Sequence, residues 1–128
     1  MFIRFVVPSR HQVSQCLTGI FYAACWLYDR GEMSENEQHS CDDILSWFNH
    51  HLPFPDRFSR SGRRHACGKG ICWFKDSAAR YIRKVRELAT MLEQHGISVE
   101  MLRTSKPGFI VYEDSYQIVA VPFRETRA

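Results

Sequence analysis

The sequence predicts an α+β domain: an N-terminal strand, three helices and a C-terminal three-stranded antiparallel meander, forming a mostly antiparallel sheet with the helices on one face. Three observations predict it. Apolar residues recur at helical spacing in three central stretches, short β-type runs bounded by turn residues lie at the two ends, and 128 residues that are 45% apolar can supply one hydrophobic core. A single domain over 1–128 is expected, with a mobile basic loop at about 59–70.

Met1 to Val7, closed by Pro8, reads as the first strand; Arg4 interrupts it and no small-residue cleavage site follows, so it is not a secretory leader. Ser9-Arg10-His11-Gln12 fits a capping box, which predicts a helix from there with Val13, Cys16, Leu17, Ile20, Phe21, Ala24 and Leu27 on one side and Gly31 as its stop. From Ile20 to Tyr28 every residue is apolar or aromatic, so this helix needs cover on more than one side. Gln12, Ser14, Gln15 and Thr18 make it a buried helix rather than a membrane span, which needs about 20 predominantly apolar residues. Burial within the chain is expected for Phe21, Ala24 and Leu27, and a partner contact for Tyr22 and Trp26.

Ser34 and Glu37 form a second capping box, opening a helix with Cys41, Ile44, Leu45, Phe48 and Leu52 as its stripe, His50 and His51 near its end, and Pro53 as its stop. Leu52 to Phe58 reads as extended, because Pro53 and Pro55 push their predecessors out of the helical region. Ser59 to Gly70 is the predicted loop, and Ile71 to Phe74 returns the chain to the core. Asp76 or Ser77 is the expected cap of a third helix whose core face is Ala78, Ile82, Val85, Ala89 and Leu92, ending at Gly96. Ile97–Thr104, Phe109–Tyr112 and Tyr116–Phe123 are the predicted strands of the meander, joined by turns at Ser105–Gly108 and Glu113–Ser115.

Charge is distributed unevenly along this chain. Ten of the seventeen Lys and Arg residues (Arg57, Arg60, Arg63, Arg64, Lys69, Lys75, Arg80, Arg83, Lys84 and Arg86) lie within 57–86, opposed only by Asp76, so the stretch carries +9. Residues 29–56 hold seven acids against Arg30 and carry −6. A net charge of +3 thus conceals a strongly dipolar chain, whose field steers partners. Cations in the first half of the third helix oppose the helix dipole, so helix stability does not explain them and a binding surface does. Interleaved with Phe58, Trp73, Phe74 and Tyr81, the ten basic residues have the ingredients of single-strand recognition: cations for phosphates and ring faces for bases.

Other chemistry is weakly patterned. The five cysteines are odd in number, and Cys16, Cys25 and Cys41 sit at apolar positions, which predicts reduced thiols in a cytoplasmic protein. His65, Cys67 and Cys72 lack the second Cys or His pair of a zinc site, and Asp42-Asp43 lack the convergent oxygens of a hard-cation site, so no metal or cofactor is expected. Gly68-Lys69-Gly70 lacks the spacing and the Ser or Thr of a nucleotide-binding loop. Cys67 has cations nearby but no orienting group, and no residue is assigned as catalytic. For phosphodiester cleavage without a metal, His65 and Tyr116 are the proton-transfer candidates, with Tyr112, Glu113 and Asp114 nearby in sequence.

Three stretches carry a resemblance: Trp47-Phe48-Asn49 through Leu52-Pro53 to Arg57-Phe58; Cys72-Trp73-Phe74-Lys75-Asp76; and Pro107-Gly108 with Tyr112-Glu113-Asp114 and Gln117. Over most of its length the chain resembles a small bacterial family of uncharacterised proteins. The resemblance implies a bacterial, cytoplasmic protein and carries no activity or functional residue. In element order alone the chain is also similar to the ribonucleases of bacterial toxin and antitoxin systems, from which it departs by an extra helix, a long loop and the lack of a matching catalytic motif.

The sequence is read as a non-enzymatic binding module that engages nucleic acid or an acidic protein surface through Arg57 to Arg86. The alternatives are a small metal-independent ribonuclease-like enzyme using the same surface, and a structural homodimer in which the acidic second helix of one chain meets the basic helix of another.

Overall fold

The computed structural model describes residues 1–12, 15–55 and 70–128. Its elements are β1 (Phe2–Arg10), β2 (Leu17–Gly19), α1 (Ile20–Asp29), α2 (Glu35–His51), β3 (Ile71–Lys75), α3 (Ala79–Gln94), β4 (Glu100–Thr104), β5 (Phe109–Glu113) and β6 (Gln117–Val121). Among the described residues the fold is α+β, with three helices and a six-stranded antiparallel sheet that includes the N-terminal strand. No helix among them is long and apolar enough to cross a membrane.

β1 organises the sheet. Phe2 to Val6 pair with β4 along one edge, while the other edge is shared by β3, at Phe2 and Ile3, and β2, from Val6 onward. β6 lies between β3 and β5, so the order is β4, β1, β3, β6, β5, with β2 continuing the β3 side of β1. Successive side chains of β1 point to opposite faces. Ile3, Phe5 and Val7 join Phe74 under the three helices, whereas Val6 joins Ile71, Trp73, Leu102, Ile118 and Ala120 in a second core on the other face.

The first helix begins ten residues later than the Ser9 capping box predicts, with Gly19 instead of Ser9 at its cap. β1 runs on to Arg10, Val7 pairs with Thr18 and Arg10 with Leu17, and the Ser9 hydroxyl donates to Thr18 Oγ1 at 3.0 Å rather than capping a helix. The ladder shifts register between Val7 and Arg10, where Pro8 offers no amide hydrogen. The chain turns back with Gln15 at φ 60°. Cys16 and Leu17 consequently pack on the second core, and of the expected stripe Ile20, Ala24 and Leu27 are buried with Phe21 packed against them. Val13 lies outside the described residues.

The α2 capping box forms as predicted. The Glu37 amide donates to Ser34 Oγ at 3.2 Å, and the Ser34 amide donates to Glu37 Oε1 at 3.1 Å. Cys41, Ile44 and Phe48 face the core. In α3 the expected Ala78, Ile82, Val85, Ala89 and Leu92 are all buried, together with Tyr81, Leu88 and Met91. Neither Asp76 nor Ser77 caps it. Ala78, whose methyl can accept no hydrogen bond, occupies that position; its amide closes a tight turn onto the Lys75 carbonyl, and the Asp76 carboxylate lies 3.7 Å from the Met1 amino group.

The three C-terminal strands are present, but only β5 and β6 are hydrogen-bonded neighbours; β4 pairs with β1. Four strand spacings of about 4.8 Å separate β4 from β5 along the sheet, about the reach of the few residues that join them. The sheet therefore curls around the second core, which draws on β1, β3, β4 and β6. The segment after β6 closes the curl: Thr126 Oγ1 donates to the Lys106 carbonyl, and the Leu17 amide donates to the Ala128 carbonyl. Gly108, at φ 129°, passes so near β6 that a Cβ there would sit 2.1 Å from the Val121 carbonyl oxygen.

Ser34→Ala is expected to cost about 1 kcal/mol by removing the cap. Ser9→Ala, at the other predicted cap, should leave helix content unchanged. Thermal melting followed by far-UV circular dichroism distinguishes the two, since 1 kcal/mol lowers the midpoint by about 4 °C in a domain of this size. Gly108→Ala should be much more damaging, because both the backbone conformation and the contact with Val121 exclude a side chain.

Candidate functional site

α2 and α3 run antiparallel. Trp47 and His51, late in α2, meet Tyr81 in the first turn of α3, whereas Glu37 in the first turn of α2 contacts His95 just beyond the end of α3. Glu37 and Trp47 are separated by about 15 Å of helix. The acidic start of α2 and the basic start of α3 thus lie at opposite ends of the pair. Among the described residues no carboxylate of α2 is ion-paired with a cation of α3.

The basic end is built on Trp47. The Arg80 guanidinium lies 5.1 Å and the Lys84 ammonium 5.8 Å from its ring centroid. His51 stacks on it at 4.4 Å with 17° between planes, and the His51 carbonyl accepts from the Tyr81 hydroxyl at 2.9 Å. Cations here oppose the helix dipole, and an indole face supplies an attraction of about 0.5–1 kcal/mol in its place. Tyr81 also packs on Tyr116, 4.6 Å between centroids, which brings the β5–β6 turn to the same end. Gln117 donates to the Pro53 carbonyl at 2.5 Å, fixing the chain just before Phe54, whose ring is 85% exposed. Tyr116 is exposed as well.

The ten basic positions divide. Arg57, Arg60, Arg63, Arg64 and Lys69 lie outside the described residues, as do Phe58, His65, Cys67 and nearly all of the expected mobile loop at 59–70. Arg80 and Lys84 meet at Trp47, and Arg83 is exposed on the intervening turn of α3. Lys84 is also paired with Glu87 at 3.0 Å. Arg86 points elsewhere, to Met101 Sδ at 3.6 Å and over the Phe5 ring. Lys75 is half-buried and paired with Glu113 at 2.5 Å. Trp73 and Phe74 are not surface rings: alternation along β3 sends them into the two cores, and Tyr81 is buried beneath Trp47. The accessible aromatics of this end are instead His51, Phe54 and Tyr116, with Trp47 half-buried; their signal in the sequence was an apolar or polar ring at the end of an element, close to a proline or a turn.

Asp114 braces the turn that carries Tyr116. Its carboxylate accepts from the Tyr116 and Gln117 amides at 2.8 and 3.0 Å, the Tyr112 hydroxyl at 2.8 Å and Gln117 Nε2 at 3.0 Å. Burial works to raise its pKa, but the Tyr116 amide, the Gln117 side chain, the Tyr112 hydroxyl and the Gln117 amide together hold it below the usual aspartate value. Glu37 is likewise lowered, first by the Ser34 amide and then by His95. Asp42 accepts from the Tyr28 hydroxyl at 3.3 Å. Cys41 is buried, its thiol pushed up to about 11 by that burial, which makes it an inert core residue.

Comparison with protein families, with curated proteins and with solved structures gives no match.

A carboxyl lowered in the folded state contributes stability that is present above its unfolded value and lost as pH falls through its folded one. Asp114→Asn should therefore melt lower than the native chain near pH 6 and lose less midpoint on acidification from about pH 5 to about pH 2.5. Equal acid dependence of the two proteins would contradict the role given to Asp114.

Proposed function

We propose that the protein is a non-enzymatic module that binds single-stranded nucleic acid at the end where α2 finishes and α3 begins. The observation that carries this reading is the pair of cations, Arg80 and Lys84, gathered at the Trp47 ring, with exposed Tyr116 joined to that ring through Tyr81 and exposed Phe54 following Pro53, which Gln117 holds beside Tyr116. Cations neutralise phosphates, and exposed ring faces accept bases regardless of sequence. The acidic start of α2 lies at the other end of the pair, so Glu35 and Glu37 do not neutralise these cations, and the positive charge left at this end draws a polyanion.

Fluorescence anisotropy with a labelled oligouridylate tests it. With Arg80, Arg83 and Lys84 each meeting a phosphate, log affinity should fall with log salt at a slope of about −2 or steeper, and Arg80→Gln should flatten it by about 0.7. Phe54→Ala should weaken binding by about 1–3 kcal/mol without changing the slope. Absence of binding at low salt, or binding indifferent to Phe54→Ala and Tyr116→Ala together, would refute the reading. Polyglutamate competing as well as RNA would point to an acidic protein partner.

A further inference from the structure

We propose that the groove between α1 and the far end of β1 is a binding site for a planar aromatic anion. The groove exists because β1 outruns its neighbour: pairing with β4 stops at Val6 opposite Glu100, and the chain leading into β4 passes along the rim through Gly96, Ile97 and Ser98. Its volume is about 800 Å³, within the roughly 300–1,000 Å³ of small-molecule sites, which are mostly apolar with a few placed polar groups. Val7, Pro8, Ala23 and Ile97 supply apolar wall. Tyr22 and Trp26, one turn apart on α1, add two large rings that stay 58% and 48% exposed.

Charge selects the ligand. Among the described residues no aspartate or glutamate lines the groove, and Arg10 does. One Arg10 nitrogen donates to the Gln15 carbonyl at 2.8 Å, and among the described residues no carboxylate pairs with this guanidinium, leaving further donors for an anion. The Ser9 and Thr18 hydroxyls, bonded to each other at 3.0 Å, retain acceptor and donor capacity at the same wall. The His11 ring meets Tyr22 edge-on at 5.1 Å, and the Arg30 guanidinium lies 4.4 Å from the Trp26 ring centroid, so both aromatics are held in place before anything binds. Apolar walls, two poised rings and one cation with no ion-pair partner among the described residues fit a flat ring system bearing a carboxylate, sulfonate or phosphate. None of these residues belongs to the basic end of the α2–α3 pair, so the site is independent of the function proposed above.

Anilinonaphthalene sulfonate is a direct probe: it carries a flat naphthalene ring and a single sulfonate, and it brightens on leaving water. Titration into the folded protein should saturate at one dye per chain. Replacing Tyr22 and Trp26 together by Ala should weaken binding about tenfold or more. Arg10→Gln should weaken the sulfonate about fivefold, spare the uncharged analogue phenylnaphthylamine, and be rescued by Arg10→Lys. Near-UV circular dichroism of each variant confirms that the dye reports a site and not loosened packing, and the exposure of Tyr22 and Trp26 makes their loss tolerable for folding. Unsaturable binding, equal loss of both dyes in Arg10→Gln, or a native dimer that the Tyr22 and Trp26 replacements turn into a monomer would overturn the proposal; in the last case a second copy fills the groove.

Discussion

Every other element takes its position from the pairing of β1. It is hydrogen-bonded along both edges and buried on both faces, which few strands in a domain of this size can be. Ile3, Phe5 and Val7 set the floor on which the helices rest, and Val6 sets the inside of the curl that β3, β4 and β6 complete. The cost is visible at Arg4, which alternation directs into the buried side. Its guanidinium donates to the Leu17 carbonyl, Nη1 finds no hydrogen-bond partner among the described residues, and burial lowers its pKa against the opposing pull of the Cys16 and Cys72 thiols. A buried cation without a carboxylate is expensive. It is tolerated where the surrounding pairing leaves the strand no other register, since a slip by one residue would reverse both faces at once.

The helix layer converts a feature of the chain into a feature of the molecule. The acidic start of α2 and the basic start of α3 are carried to opposite ends of the pair because the two helices are antiparallel. Had they been parallel, Glu35 and Glu37 would have faced Arg80 and Lys84 and neutralised them. The same arrangement places the Trp47 ring beneath cations that the helix dipole disfavours, so an aromatic contact holds charge where helix stability alone would not.

Helices with strong periodicity were legible in the sequence: the Ser34–Glu37 box, the Cys41, Ile44 and Phe48 stripe and the core face of α3 all appear where spacing put them. The region 9–19 was not. Ser9 and Gln12 satisfy a local capping pattern, but pairing of Val7 with Thr18 satisfies the backbone of both segments at once, and tertiary hydrogen bonding outweighs a local preference. Pairing of β4 with β1 was hidden for a related reason, since turn residues announce that a chain reverses and do not say which edge it finds. Of the candidate site, the sequence supplied Arg80, Arg83 and Lys84, and its accessible rings were not legible. Trp73 and Phe74 were read both as returning to the core and as ring faces for bases, and the two-residue period of β3 buries both, while Phe54 is brought near through the Gln117–Pro53 contact across 64 residues and Tyr116 through its packing on Tyr81, contacts that no local pattern contains.

The three tryptophans occupy three different environments, which makes their indole N–H resonances a map of the molecule: Trp47 at the basic end, Trp26 at the groove, Trp73 inside the second core. Titrating the isotopically labelled chain with a short single-stranded oligonucleotide and recording those three signals tests the central claim most directly. The account predicts that the Trp47 resonance moves and saturates while those of Trp26 and Trp73 stay in place. A stationary Trp47 signal at saturating oligonucleotide, or a shift confined to Trp26, would contradict it.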